Sequence, residues 1–301
     1  MTFVENVLSN MVMRVPRPIR RALSDTRIVQ FILSRVFGDR RAAIETPEGI
    51  RLIVNPLYHA QFVRDGIADY ELSVRSTLVK LCRNGTVFYD IGANVGVFTC
   101  LASATVGDTG TVVAFEPEPN NLNCLQETVR ANRLQNVRIE TKAVGKASGT
   151  SDFDRRGGAF SGRLIDHGRY RATRNVTEVS TVSLDDYVNK MNGPVPDVVK
   201  IDVEGNELLV LEGMQDLLGS IGPAIVCELH AHLGDSPERV ATLLRDHQYE
   251  LIDLQDFTNA VEKPVDDIAQ CHCFVATKRL VPQASQSSSR RGASESLHAA
   301  R

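Results

Sequence analysis

From Thr86 to about Leu280 the chain alternates short apolar, β-rich runs with stretches of helical period, and this alternation limits the fold more than any other feature. The expected strands are 86–89, 111–115, 137–143, 198–201, 224–228, 249–254 and 273–277. The expected helices between them are 97–104, 120–132, 208–218 and 237–247. Strands that are apolar nearly throughout are buried on both faces, so the pattern predicts an α/β fold with a mainly parallel sheet and helices on each side. Upstream, two β-prone runs between Ala42 and Val54 flank Thr46-Pro47-Glu48-Gly49 and read as a hairpin. Residues 69–82 read as a helix with Leu72, Val74, Leu78, Val79 and Leu81 on its core face, stopped by Asn84-Gly85.

Three segments follow: a basic helical extension over 1–43, the α/β domain over 44–280, and a tail over 281–301 whose Ser, Arg and Ala content predicts disorder. The extension holds eight Arg and no Lys against three acids. Ile28, Val29, Phe31, Ile32, Leu33, Val36 and Phe37 recur there near helical period, which suits either packing on the domain or peripheral contact with an anionic membrane. A net charge of -3 gives no global reason to bind nucleic acid, and no apolar run is long enough to span a bilayer. The N-terminus lacks a basic region followed by an apolar one, and the six scattered cysteines suit buried thiols in a reducing compartment, so the expected location is cytoplasmic.

The strongest local signal is Val87-Phe88-Tyr89-Asp90-Ile91-Gly92-Ala93-Asn94-Val95-Gly96: an apolar strand ending in an acid, then a glycine loop entering a helix. Ligands of such sheets bind at the carboxyl ends of the strands, where glycines let the backbone approach closely. A dinucleotide pyrophosphate calls for G-x-G-x-x-G, but here Asn94 replaces the second glycine, and Asp90, expected at the mouth, would repel phosphate. S-adenosylmethionine carries an ammonium and a sulfonium and no phosphate, so the charge pattern favours it. The next strand ends in Glu116-Pro117, placing an acid where it can accept hydrogen bonds from both ribose hydroxyls. A nicotinamide-dependent oxidoreductase and an inactive binding module are the rival readings.

A second acidic cluster, Asp202, Glu204 and Glu207, follows a later strand, and Glu228 and His230 end the one after it. In a parallel sheet all of these share an edge with Asp90 and Glu116. One reading makes Asp202 or His230 a general base for an acceptor hydroxyl. Another makes Asp202, Glu204 or Glu228 an oxygen-rich Mg2+ site. The plainest makes Glu204 and Glu207 first-turn acids favoured by the helix dipole.

At these residues the chain resembles the FkbM family of methyltransferases. The matching stretches are Tyr89 to Gly96, Phe115-Glu116-Pro117, Ser183-Leu184-Asp185-Asp186, Lys200-Ile201-Asp202-Val203-Glu204-Gly205-Asn206-Glu207 and Glu228-Leu229-His230, with Tyr70-Glu71 upstream. The resemblance implies a Rossmann-like, class I methyltransferase sheet of seven strands with the last antiparallel. It also implies methyl transfer to a hydroxyl of a sugar, glycolipid or polyketide-type molecule. Asp90, Gly92, Ala93, Asn94, Gly96, Glu116 and Pro117 would then hold S-adenosylmethionine, and Asp202, His230 and Glu228 would serve the chemistry. A loop over 154–179, including Arg155, Arg156, Gly157, Gly158, Ser161, Gly162 and Arg163, would shape the acceptor site; it shows no clear secondary-structure pattern. Cys271-His272-Cys273 reads as the start of a buried strand, and His59 and His167 as ordinary surface residues.

Overall fold

The computed structural model describes residues 40–278 apart from 57, 68, 69, 156–161, 166–174, 234, 235, 260–263 and 266. The amphipathic stretch from Ile28 to Phe37, Asp69, Arg156 to Ser161, His167 and the Ser-rich tail fall outside the described residues.

The chain opens with the expected hairpin, β1 (Ala42–Glu45) and β2 (Arg51–Val54), followed by α1 (Ala60–Asp65) and α2 (Leu72–Leu81). Next come β3 (Val87–Ile91), α3 (Val97–Val106), β4 (Thr111–Phe115), α4 (Pro119–Ala131) and β5 (Val137–Glu140). The short strands β6 (Ala143–Val144), β7 (Gly149–Arg155), β8 (Gly162–Leu164) and β9 (Val176–Val182) lead to α5 (Leu184–Met191) and β10 (Val198–Ile201). The chain continues through α6 (Glu207–Glu212), α7 (Gln215–Ser220), β11 (Ala224–Glu228), α8 (Pro237–Asp246), β12 (Tyr249–Asp253), α9 (Leu254–Thr258) and β13 (Cys273–Lys278).

The seven-stranded main sheet runs β12-β13-β11-β10-β3-β4-β5. β11, β10, β3, β4 and β5 pair parallel, and β13 pairs antiparallel with both β11 and β12. This is the Rossmann-like arrangement expected of a class I methyltransferase. Alternation along β3 shows why both faces are covered: Phe88 joins the core under α2 and α3, while Tyr89 and Ile91 join the core under α5 to α8. The carboxyl ends of β3, β4, β10 and β11 therefore meet at one sheet edge. Among the described residues no helix is long and apolar enough to cross a membrane. All six cysteines are free, and only Cys273 is less than fully buried.

Several expectations are corrected. The 137–143 strand divides, because β5 is the last strand of the main sheet while Ala143 and Val144 pair with β9 in a separate four-stranded sheet. That sheet, β6-β9-β7-β8, takes in both ends and a short middle stretch of the supposedly patternless loop; among the described residues its core is Ala143, Phe153, Leu164 and a half-buried Val179. The 208–218 helix breaks at Gly213, which lies so close to the Gly145 carbonyl that a Cβ would sit 2.1 Å from its oxygen. On α2, Leu72 and Val79 are exposed, at 54% and 53%, whereas Arg75 is buried because it pairs with Glu48 and donates to the Ile67 carbonyl. His59 is fully buried rather than on the surface.

Candidate active site

The loop after β3 is shaped by left-handed backbone at Gly92 (φ 79°), Asn94 (φ 52°) and Gly96 (φ 94°). Glycine is required twice over at Gly92, since a Cβ there would lie 1.9 Å from the Asp202 carbonyl oxygen. Four of the loop N–H groups are engaged within the protein. Gly92 and Ala93 donate to the Phe115 carbonyl, Asn94 donates to Glu116 Oε2 at 2.8 Å, and Gly96 donates to the Ala93 carbonyl. A pyrophosphate cradle needs such groups turned toward the ligand, and these four are turned into the protein instead.

Asp90 does not sit at the mouth, as its place at the strand end suggested. Its side chain is fully buried beneath the loop, where Oδ2 accepts from the Thr99 hydroxyl at 2.6 Å and Oδ1 lies 3.9 Å from Lys200 Nζ. The cause is register: β3 and β10 pair Asp90 with Lys200 directly. Burial raises the Asp90 carboxyl, and Lys200 and Thr99 pull it back. Lys200 Nζ donates to Asp202 Oδ2 at 3.1 Å and lies 4.8 Å from the Phe98 ring centroid. Burial works to discharge this lysine, but Asp202, Asp90, Glu71 and Glu228 outweigh it and hold the ammonium above the ordinary lysine value.

Glu116 is 4% exposed, and its carboxylate is fixed by backbone donors: Asn94 N at Oε2 and Glu118 N at Oε1, each at 2.8 Å. Burial lifts it to about 7, partly offset by these hydrogen bonds and one from Asn121.

His230 anchors the second cluster. Its Nδ1 lies 2.8 Å from Glu207 Oε1, while Nε2 faces Glu204 and Glu228 at 3.8 Å each and Asp202 at 4.0 Å. Glu207 is no simple first-turn acid: fully buried, it also accepts from Gly205 N. Burial pulls the imidazole down, but the Glu207 hydrogen bond and surrounding carboxylates win and raise it to about 9. His230 is therefore an imidazolium at neutral pH, with no lone pair free to take a proton. Burial lifts Glu204 to about 7 and Glu228 to about 8, with Asp202 adding to both. Among the described residues, Asp202, Glu228 and His230 are the one group that could gather around a metal ion, their atoms lying within 4.8 Å of one another. Lys200 already pairs with Asp202 at 3.1 Å, and an imidazole is a poor ligand for a hard, oxygen-seeking ion, so the arrangement does not favour Mg2+.

One cavity of about 240 Å³ joins the two halves. Gly92, Ala93, Asn94, Glu116, Pro117, Asp202 and Glu228 line it; Asp90, Gly96 and His230 stand behind the lining. Gly96 instead packs on α4, where a Cβ would lie 2.7 Å from Leu125 Cδ1. Arg163 and Phe153 of the small sheet also line the cavity. The residue reading gave no role to Lys200 or Glu71, both of which line the cavity. Lys200 had a signal, a charge inside an otherwise apolar strand, which burial tolerates only when paired. Glu71 had only its place in the Tyr70-Glu71 match; it stands just before α2 with a left-handed φ of 42°.

The architecture is that of a Rossmann-like methyltransferase, and the comparisons with known proteins agree. The Methyltransferase FkbM domain model matches residues 90–251. Hexuronic acid methyltransferase AglP of Haloferax volcanii is 32% identical over 178 residues, covering 58% of this chain and 68% of that protein. The 31-O-demethyl-FK506 methyltransferase FkbM of Streptomyces tacrolimicus is 29% identical over 201 residues, covering 58% of this chain and 76% of that protein. A solved methyltransferase FkbM from Methylobacillus flagellatus KT aligns at 13% identity and a TM-score of 0.39, over 73% of this chain and 60% of that one. The chain belongs to the FkbM methyltransferase family.

Proposed function

We propose that the protein transfers a methyl group from S-adenosylmethionine to a hydroxyl oxygen of a sugar. The observation that carries this reading is a cavity lined by Gly92, Ala93, Asn94 and Glu116 together with Asp202 and Glu228. The residues present suit the donor. Its ammonium and sulfonium match a lining rich in carboxylates, and the buried Asp90 Oδ1 beneath the loop has no hydrogen-bond partner among the described residues. Glu116 would accept from the ribose hydroxyls, with Pro117 and the loop backbone beside it. Hydroxyl donors favour the carboxylate form, so donor affinity should rise with pH through the value near 7 held by Glu116.

When bound, S-adenosylmethionine supplies an electrophilic methyl group on a positively charged sulfur. The chain's own contribution is alignment, exclusion of water by Phe62, Phe98, Phe115 and Phe153, and removal of the acceptor proton. His230 and Glu228 both hold protons at neutral pH; Asp202, which lines the cavity and accepts from Lys200, is the group placed to receive it. His230, clamped by Glu207, then acts as a fixed positive charge that positions Asp202 and Glu228. The name of the Haloferax relative, a hexuronic acid methyltransferase, supports a sugar acceptor.

The test is transfer of labelled methyl to a panel of neutral and acidic saccharides. The expected product keeps its label through mild alkali, as a methyl ether does. Label released by alkali, marking an ester, or label found on nitrogen would contradict the hydroxyl assignment.

A further inference from the structure

His59 lies outside the family match and outside the cavity lining, yet it is buried completely. A buried imidazole must satisfy both nitrogens. Nδ1 is 3.0 Å from the Asn55 backbone N–H, and Nε2 is 3.0 Å from Asn121 Oδ1. The Asn55 carbonyl also approaches Nδ1, at 3.3 Å, but it already accepts the His59 backbone N–H at 2.7 Å. The arrangement that serves every group makes Nδ1 the acceptor and Nε2–H the donor to Asn121. Burial lowers the imidazole to about 4, so this neutral tautomer persists across the physiological range.

The consequence is directional. With its oxygen accepting from His59, the Asn121 amide has its N–H₂ group left to donate, and its side chain hydrogen-bonds Glu116. Asn121 sits in the first turn of α4, where its backbone N–H is held by Glu118 Oε2 at 3.0 Å, which leaves His59 to fix the orientation of the amide. Without His59, the Asn121 amide could flip and present its oxygen to the Glu116 carboxylate, a repulsive contact at the atoms meant for the donor.

We propose that His59 is a positioning residue for the methyl donor, fixing the orientation of Asn121 so that Glu116 is held ready for the ribose hydroxyls. This rests on the reading of Glu116 as the ribose acceptor. His59 touches neither donor nor acceptor and acts only through Asn121.

The experiment measures S-adenosylhomocysteine affinity, donor KM and kcat for His59→Ala, His59→Gln, Glu116→Gln and the His59→Ala/Glu116→Gln double variant of the full chain. Loss of one well-placed hydrogen bond corresponds to about a tenfold change, so His59→Ala is expected to raise donor KM about tenfold with kcat within about threefold. His59→Gln, whose amide nitrogen can stand in for Nε2–H, should return KM to within about threefold of wild type. In the double variant the His59 change should add less than about twofold, because its effect runs through Glu116. Asn121→Asp provides the check should His59→Ala fail to fold: it keeps an acceptor for His59, removes the donor to Glu116 and should weaken the donor similarly. Full affinity in His59→Ala and Asn121→Asp, with Glu116→Gln clearly weakened, would overturn the proposal and leave the Glu116 reading standing. Unchanged affinity in Glu116→Gln would instead overturn the Glu116 reading and the proposal with it.

Discussion

Asp202→Asn is expected to lower kcat by about 10²–10⁴-fold, the usual contribution of a positioned acid–base group, while the affinity for S-adenosylhomocysteine changes far less. The substitution keeps the shape of the side chain and the acceptor oxygen that Lys200 Nζ uses at 3.1 Å. It removes the cavity-lining carboxylate that Lys200 holds in place, in a cluster where His230 stands at about 9 and Glu228 at about 8. Steady-state kinetics with saturating donor separate the two effects. A kcat within about threefold of wild type would mean that the acceptor loses its proton without Asp202, and that alignment and desolvation carry the acceleration.

Gly92→Ala should have the second large effect, on stability and donor binding together. Left-handed backbone costs a residue with a Cβ about 1–2 kcal/mol, and overpacking against fixed neighbours typically adds about 1–3 kcal/mol. The neighbour here is the Asp202 carbonyl, 1.9 Å from the added carbon, so relief requires moving the chain at Asp202, the residue proposed to take the acceptor proton. For a domain of this size the sum lowers Tm by on the order of 10 °C. Gly49→Ala in the β1–β2 turn is the matched control: its φ is similarly positive, at 81°, but nothing lies within 4 Å of an added Cβ. It should lose only the small conformational part. Thermal unfolding that ranks the two variants equally would mean that the loop yields to a methyl group, and that the contact between the two halves of the site is not tight.

The sheet and the catalytic end of each strand were legible because both are written locally. Apolar runs ending in Asp90, Glu116, Asp202 and Glu228 announce strands whose last residues reach one edge, and the observed strands over 111–115, 198–201 and 224–228 coincide with the expected ones. What stayed hidden depends on distant partners. Arg75 is buried where Glu48 and the Ile67 carbonyl meet it, and His59 where Asn55 and Asn121 do. Gly213 interrupts a helix because Gly145 arrives from elsewhere in the chain. The small sheet escaped notice because it buries few apolar residues, leaving alternation too faint to separate β7 and β9 from a polar loop. The charge states of the site were beyond a reading of composition as well. His230 looks like a base until the four carboxylates around it are counted.

The central claim is that the Gly92 loop and Glu116 hold a methyl donor rather than a dinucleotide, and calorimetric titration tests it most directly. S-adenosylhomocysteine should bind the full chain at pH 8 with micromolar affinity, and about tenfold more weakly at pH 6, where Glu116 is mostly protonated. Hydrogen bonds to a charged group are worth about 1.5–3 kcal/mol each, so Glu116→Ala should cost at least about a hundredfold. NAD should give no heat. Binding of NAD in place of the homocysteine nucleoside, or nucleoside binding indifferent to both pH and Glu116, would contradict the account.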